Sequence, residues 1–268
     1  MLDSIQARET LILASALASV DMVEQTTLVY AQRAGFDQDT ASNLAMVTRE
    51  ATVNAILHGN KCDADKQVTA TFTLSEGALT VQIADQGEGL DPATIPDPLA
   101  PENLLRTSGR GVFLMRAYMD EVHFRQLSPG TEITMLKRCP QFISNQITEE
   151  TYPMSMKFKT RQVDGITVLD LNGRITLGDG SVTIRDAVRD VLAKGSNKIL
   201  LNLGGVDYID SSGIGELVSA FTTVKNGGGE LKLLNLTKKV HDLLQITKLY
   251  TVFDVSDDEA TAIASFSK

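Results

Sequence analysis

Five short stretches of this chain combine residue types and spacings that suit phosphate or acid–base chemistry. Glu50, Asn54 and His58 recur every four residues, so on a helix they form one polar stripe. Ala51, Val53, Ala55, Ile56 and Leu57 surround them, which makes the rest of that helix apolar. A carboxylate and an amide in such a setting must find partners. Asp85-Gln86-Gly87-Glu88-Gly89 follows an apolar strand. An Asp at a strand end can accept a hydrogen bond from an exocyclic amine, and the glycines permit close backbone approach. Ser108-Gly109-Arg110-Gly111 leads into a helical segment, and free N–H groups at a helix start suit phosphate. Gly130-Thr131 opens a closing strand. In the second half, Asp210-Ser211-Ser212-Gly213 lies between an apolar strand and an apolar helix. Asp210 or Ser211 is an N-cap candidate there, and a phosphate on a serine at an exposed helix start is electrostatically favoured. Taken singly, each stretch also has an ordinary structural meaning: a solvated stripe, a tight turn, a cap.

The elements that must position these residues follow from periodicity. ETLILASAL suggests a strand, Ser19 opens a helical pattern stopped by Gly35, and Asp39 or Thr40 caps a second helix running to about His58. VTATFTL and LTVQIADQG are neighbouring strands joined by SEG; GVFLMRAYMD has helical spacing; VHFRQL and TEITMLKR form a hairpin around SPG. This is an α/β layer arrangement, of α+β type, with a largely antiparallel sheet. Residues 139–155, with two prolines and no sustained period, divide it from a second patterned region at 156–268. That region alternates strand and helix: MKFKTRQV, ITVLDLNGR, SVTIRDAVRDVLAKG, KILLNLG, SSGIGELVSAFTTVKNG, ELKLLNL, KKVHDLLQIT, a short strand YTVFDV and a final helix.

The net charge of −9 is confined to one half: residues 1–153 hold 20 acidic and 11 basic side chains, the remainder 14 of each. That argues against direct nucleic-acid binding there, since phosphate backbones require a basic face. No apolar run reaches the roughly 20 residues of a membrane span. The start of the chain lacks the ordered regions of a signal peptide, and two cysteines make no disulfide framework. A cytoplasmic protein without membrane contact is expected.

Taken in order, the motifs of residues 5–138 resemble the anti-sigma-factor serine kinases of the GHKL, or histidine-kinase-like, ATPase superfamily. The resemblance rests on E-x-x-x-N-x-x-x-HGN at Glu50–Asn60, on Asp85–Gly89, on SGRGVFLMRAYMDEV at Ser108–Val122 and on Gly130-Thr131. It implies a Bergerat-type helix-on-sheet sandwich over 1–138, with residues 91–107 as a lid over ATP. It also implies roles: Glu50 as general base, Asn54 as Mg²⁺ ligand, and Asp85 on the adenine amino group with support from Thr131. Gly87 and Gly89 would let the backbone close on the nucleotide, Gly109 and Gly111 would bring lid amides to the phosphates, and Arg110, with Arg106, would add positive charge. Histidine kinases share the ATP motifs but need a separate phospho-accepting helical domain, for which the chain has no room. A nucleotide binder without kinase activity stays open; Glu50 favours an enzyme. His58 is assigned a structural role before a catalytic one.

Residues 156–267 resemble a STAS domain of the anti-sigma-factor antagonist type, through ITVLDLNGRIT, KILLNLGGVDYIDSSGIGELV and GGGELKLLNLTKKVHDLLQITKL. In that family the serine after the Asp is the phospho-acceptor, which maps to Ser211, with Ser212 left to experiment. Kinase and antagonist joined in one chain imply a partner switch. In it, the kinase region binds a sigma factor or other regulatory protein, or a STAS domain, and phosphorylation of a STAS serine in cis or in trans decides between them. A homodimer is expected. A 17-residue flexible linker would span ~20–25 Å, enough for docking within one chain.

Overall fold

The computed structural model describes residues 5–75, 77–88, 97–106, 109–139 and 156–266; Gly89, Ser108, residues 91–96 and 107 of the expected lid and residues 140–155 of the expected linker lie outside them. The chain divides into two compact units, Met1–Ile95 with Gly111–Glu149 and Pro96–Arg110 with Glu150–Lys268.

Alternation builds the first unit's sheet. In β2 (Gln67–Ser75), β3 (Ala78–Ala84) and β5 (Thr131–Arg138), Val68, Phe72, Val81, Ile83 and Met135 are buried on one face. Their neighbours Thr69, Thr73, Thr80, Gln82 and Thr134 are half-buried on the other. With β1 (Ile5–Ala14) and β4 (Glu121–Gln126) as edges, the order is β1-β2-β3-β5-β4, all antiparallel. Ala84 pairs with Glu132, so the end of β3 and the start of β5 lie side by side.

Helices α1 (Val20–Arg33) and α2 (Gln38–Asn54) supply the covering layer, with Tyr30 of α1 stacked on Phe72 at 5.4 Å between ring centroids. The cap of α2 is Asp37, whose carboxylate accepts the Thr40 N–H at 2.7 Å. Asp39 and Thr40, the expected caps, sit inside the first turn, because a capping oxygen must precede the N–H it receives by about three residues. Between the two helices Arg49 donates to Asp21 at 2.8 Å and Glu24 at 2.9 Å, with Glu24 buried. Beyond Asn54 the helix does not stay α: Ala55–Gly59 forms a π-turn, closed by the Asn60 N–H on Ala55 O, and Lys61 and Cys62 then adopt φ of +58°. Short π segments of this kind recur at functional sites. Helix α3 (Gly111–Tyr118) packs against α2.

The second unit holds a mixed sheet ordered β10-β9-β8-β7-β6. Strands β6 (Lys157–Val163) and β7 (Ile166–Ile175) pair antiparallel; β7, β8 (Lys198–Ile209), β9 (Glu230–Leu234) and β10 (Val255–Ser256) run parallel. Crossovers are made by α4 (Asp179–Ala193), α5 (Ser211–Asn226) and α6 (Lys238–Ile246), and α7 (Glu259–Ser265) closes the chain. Ile166, Val168, Leu200, Leu234 and Phe266 belong to one buried cluster. The expected strand YTVFDV is a 3-10 turn at Leu249–Thr251, and only Val255–Ser256 pairs. Arg161 ties three elements together: it donates to Asp170 on β7 at 2.7 and 3.1 Å and to Glu259 on α7 at 2.5 and 2.7 Å. No helix among the described residues is long and apolar enough to cross a membrane.

Candidate functional site

Helix α2 delivers the first half of the site. Along its polar stripe Glu50 is buried, Asn54 half-buried and His58 exposed, so the stripe climbs from the core to the surface. Helix α3 begins against it. A Cβ built on Gly111 would lie 2.9 Å from Glu50 Oε2 and 3.3 Å from Asn54 Nδ2, so only glycine lets this helix start so close to the pair. The first-turn N–H groups of a helix have no partner within it and favour negative charge. A carboxylate, an amide oxygen donor and such a terminus therefore share one corner of the first unit.

The turn after β3 supplies the second half. Asp85 is 9% exposed, and its Oδ1 accepts the N–H of Gly87 at 2.8 Å and of Thr131 at 3.2 Å. Oδ2 accepts no hydrogen bond among the described residues. The Asp85 N–H in turn donates to Thr131 O at 3.0 Å, the direct consequence of the β3–β5 register. Glycines press in around this carboxylate. A Cβ on Gly59 would meet the Asp85 carboxyl at 2.5 Å, one on Gly87 would meet Gly59 O at 2.1 Å, and one on Gly130 would meet Asp85 O at 1.9 Å. The structure thus brings Asp85, Gly87 and Thr131 together as the motif order suggested, and adds Gly59, whose place in HGN carried no assigned role. Asn60 and Gln86 were likewise passed over, because their hydrogen bonds join segments far apart in the chain. The one local signal was a glycine and an amide residue directly after a helix.

Gly109 has φ of +94° in open space, and Gly89 falls outside the described residues. Arg110, grouped with the second unit, is 2% exposed. Its Nη1 and Nη2 donate to Arg106 O at 2.5 Å and Leu104 O at 2.6 Å, while Nε has no partner among the described residues. Burial lowers its pKa. Among the described residues its guanidinium is held by neutral carbonyls, and a buried cation so held keeps its affinity for an anion.

In the second unit Asp210 settles the choice of cap. Its Oδ1 accepts the Gly213 N–H at 2.8 Å and its Oδ2 the Leu177 N–H at 3.2 Å, and the residue is 1% exposed. Ser211 is therefore the first residue of α5 and is half-buried, as is Ser212. Gly213 lets α5 start tight against β7: a Cβ there would lie 2.3 Å from Ile175 O. One turn on, Arg185 of α4 and the buried Glu216 form an ion pair at 2.5 Å.

Residues 13–137 match the histidine kinase-like ATPase domain model and residues 157–262 the STAS domain model. The serine-protein kinase RsbW of Bacillus licheniformis is 32% identical over 127 residues, spanning 44% of this chain and 77% of the relative. That of Listeria monocytogenes is 28% identical over 126 residues, spanning 45% and 77%. Among solved structures, an anti-sigma factor antagonist from Mycobacterium paratuberculosis aligns with 16% identity and a TM-score of 0.41 over 44% of this chain and all of that one. Through its first half, with a STAS domain following in the second, this chain belongs to the RsbW family of serine-protein kinases within the histidine kinase-like ATPases.

Proposed function

We propose that the chain is an ATP-dependent protein serine kinase joined to its own class of substrate, acting as a partner switch. The observation that carries this is the packing of Gly111 against Glu50 and Asn54: base, metal-ligand candidate and phosphate-binding terminus meet in one corner. Glu50 takes the proton of the attacking serine hydroxyl as its oxygen bonds to the γ-phosphorus and the bond to the departing ADP breaks. Helix α3's first N–H groups hold the phosphates in line, which is the main catalytic task in phosphoryl transfer. Asp85 Oδ2, the oxygen left free by Gly87 and Thr131, receives the adenine amino group. Mg²⁺ fits the donor set, since this ion binds through few protein oxygens plus substrate phosphates; Asn54 would hold it, neutralising phosphate charge.

The phospho-acceptor is Ser211, at the start of α5 beside its capping Asp210. A phosphate there adds roughly −1.5 to −2 charge. All of the chain's excess negative charge lies in residues 1–153, so the modified domain is repelled from the kinase unit. Release of one partner frees the kinase for another, a sigma factor or similar regulator. Transfer occurs within one chain or between two; the edge strand β1, with exposed Ile5 and Ile12, offers an edge for a homodimer.

The test is intact mass with phosphopeptide mapping after incubation with Mg²⁺ and ATP. One phosphate at Ser211, absent in Ser211→Ala and in Glu50→Ala with ATP binding kept, supports the proposal; dilution then separates transfer in cis from transfer in trans. ATP binding without any transfer overturns it in favour of an ATP-responsive binding protein.

A further inference from the structure

Asn60 is completely buried, and both ends of its amide are hydrogen-bonded. Its Oδ1 accepts the Gln86 N–H at 2.8 Å, and its Nδ2 donates to Gln67 O at 2.9 Å. Gln86 Oε1 accepts the Gln67 N–H at 2.8 Å, closing a circuit of three residues. The Asn60 N–H also ends the π-turn on Ala55 O. One side chain thus joins the end of the α2 helix, the first residue of β2 and the turn after β3. The partners fix the amide's orientation: Gln86 offers a donor and Gln67 an acceptor, so a flipped amide would lose both bonds.

Gln86 stands between Asp85 and Gly87, the residues whose geometry presents Asp85 Oδ2. We infer that Asn60 is a positioning residue for base selection: it clamps the Gln86 backbone so that Asp85 Oδ2 is held where it accepts from adenine's amino group. This rests on the proposed nucleotide site. Guanine carries a carbonyl oxygen where adenine carries that amine, and a fixed carboxylate repels it. Discrimination needs the carboxylate fixed, because a mobile one turns away and admits either base. Sites built to pair one polar group reject its counterpart strongly only when they are held rigid. Loss of Asn60 leaves the Gln86 N–H and the Gln67 carbonyl without partners, and the turn relaxes to satisfy them.

The experiment measures dissociation constants of the full-length chain for ATP and GTP, below the melting temperature of each variant. Asn60→Ala should weaken ATP about tenfold while leaving GTP nearly unchanged, so the selectivity ratio falls about tenfold. Asn60→Asp, which keeps an acceptor for Gln86 but no donor for Gln67, should recover part of that ratio; it also serves where the alanine variant does not fold. A lowered melting temperature with an unchanged ATP to GTP ratio in either variant would mean that Asn60 only supports the fold, and overturns the inference. Asp85→Ala is the control: if it keeps wild-type preference for ATP, the adenine role of Asp85 itself falls, a failure distinct from that of Asn60.

Discussion

Replacing Gly111 by alanine adds one methyl group at the point where α3 meets Glu50 and Asn54, the proposed base and metal ligand. The new Cβ would sit 2.9 Å from Glu50 Oε2, half an ångström inside the 3.4 Å at which ordinary contact begins, and 3.3 Å from Asn54 Nδ2. The backbone itself is no obstacle, since Gly111 is not among the positive-φ glycines. In a helix alanine is favoured over glycine by up to about 1 kcal/mol, which offsets part of the crowding. Net stability should therefore change by less than about 1 kcal/mol, a few degrees in melting temperature for a unit of this size. Catalysis should respond differently. The contact is relieved by moving the end of the Glu50 side chain, and misplacing a reacting group by around 1 Å costs on the order of 100-fold in rate. Half that displacement predicts a loss of roughly tenfold or more in single-turnover transfer at saturating ATP. Calorimetry and the rate of Ser211 labelling, measured on the same preparation, separate the two effects. A variant that transfers phosphate at the wild-type rate refutes Glu50 as the placed base; one whose rate falls only as its fold is lost refutes the local nature of the contact.

Asp210→Ala removes the acceptor of two N–H groups from a buried position and should destabilise the second unit by about 2 kcal/mol; hydrogen exchange in the first turn of α5 should quicken, and unchanged exchange there would contradict the capping role. Arg49→Ala removes this cation from the buried Glu24 and should cost the first unit about 3 kcal/mol in urea unfolding, with much of the loss recovered when Glu24 is changed to leucine as well. Acid should act on the second unit through Arg161, whose hydrogen bonds hold the Asp170 and Glu259 carboxyls below their ordinary range. A carboxylate with a lowered folded pKa contributes stability that is complete above its unfolded pKa, near 4, and is lost as pH falls through the folded value. Thermal unfolding should therefore be flat from neutral pH to about 5 and decline below about 4, with a shallower decline in Arg161→Met; identical acid slopes in the two proteins would exclude this network as the cause.

The parts of this protein that were legible in its sequence are those set by local pattern. Period-two alternation in VTATFTL and LTVQIA gave away β2 and β3, and SPG marked the β4–β5 hairpin. The polar stripe Glu50, Asn54, His58 located the face of α2 against which α3 begins before any neighbour was known. What escaped depends on partners distant in the chain. The π-turn at Ala55–Gly59 changes the hydrogen-bond step without changing composition, so a run of apolar residues reads the same either way. Asn60 reaches Gln86 across 26 residues, and the pressure of Gly59 on Asp85 appears only once β3 and the end of α2 are adjacent. YTVFDV has the content of a strand, yet of its residues Val255 alone, with Ser256 after it, finds an edge to pair with.

The strand pairing of the first sheet also sets a timetable for synthesis. Ile5 pairs with Ser75 and Ala78 with Arg138, so this sheet needs nothing made after Arg138. At ribosomal rates of about 5–20 residues per second, Ser211 follows Arg138 by roughly 4–15 s. Domains of this size fold from an emerging chain within milliseconds to seconds. The half that bears Glu50 is thus folded while Ser211 is still untranslated, and every newborn STAS domain emerges tethered to a finished ATPase fold.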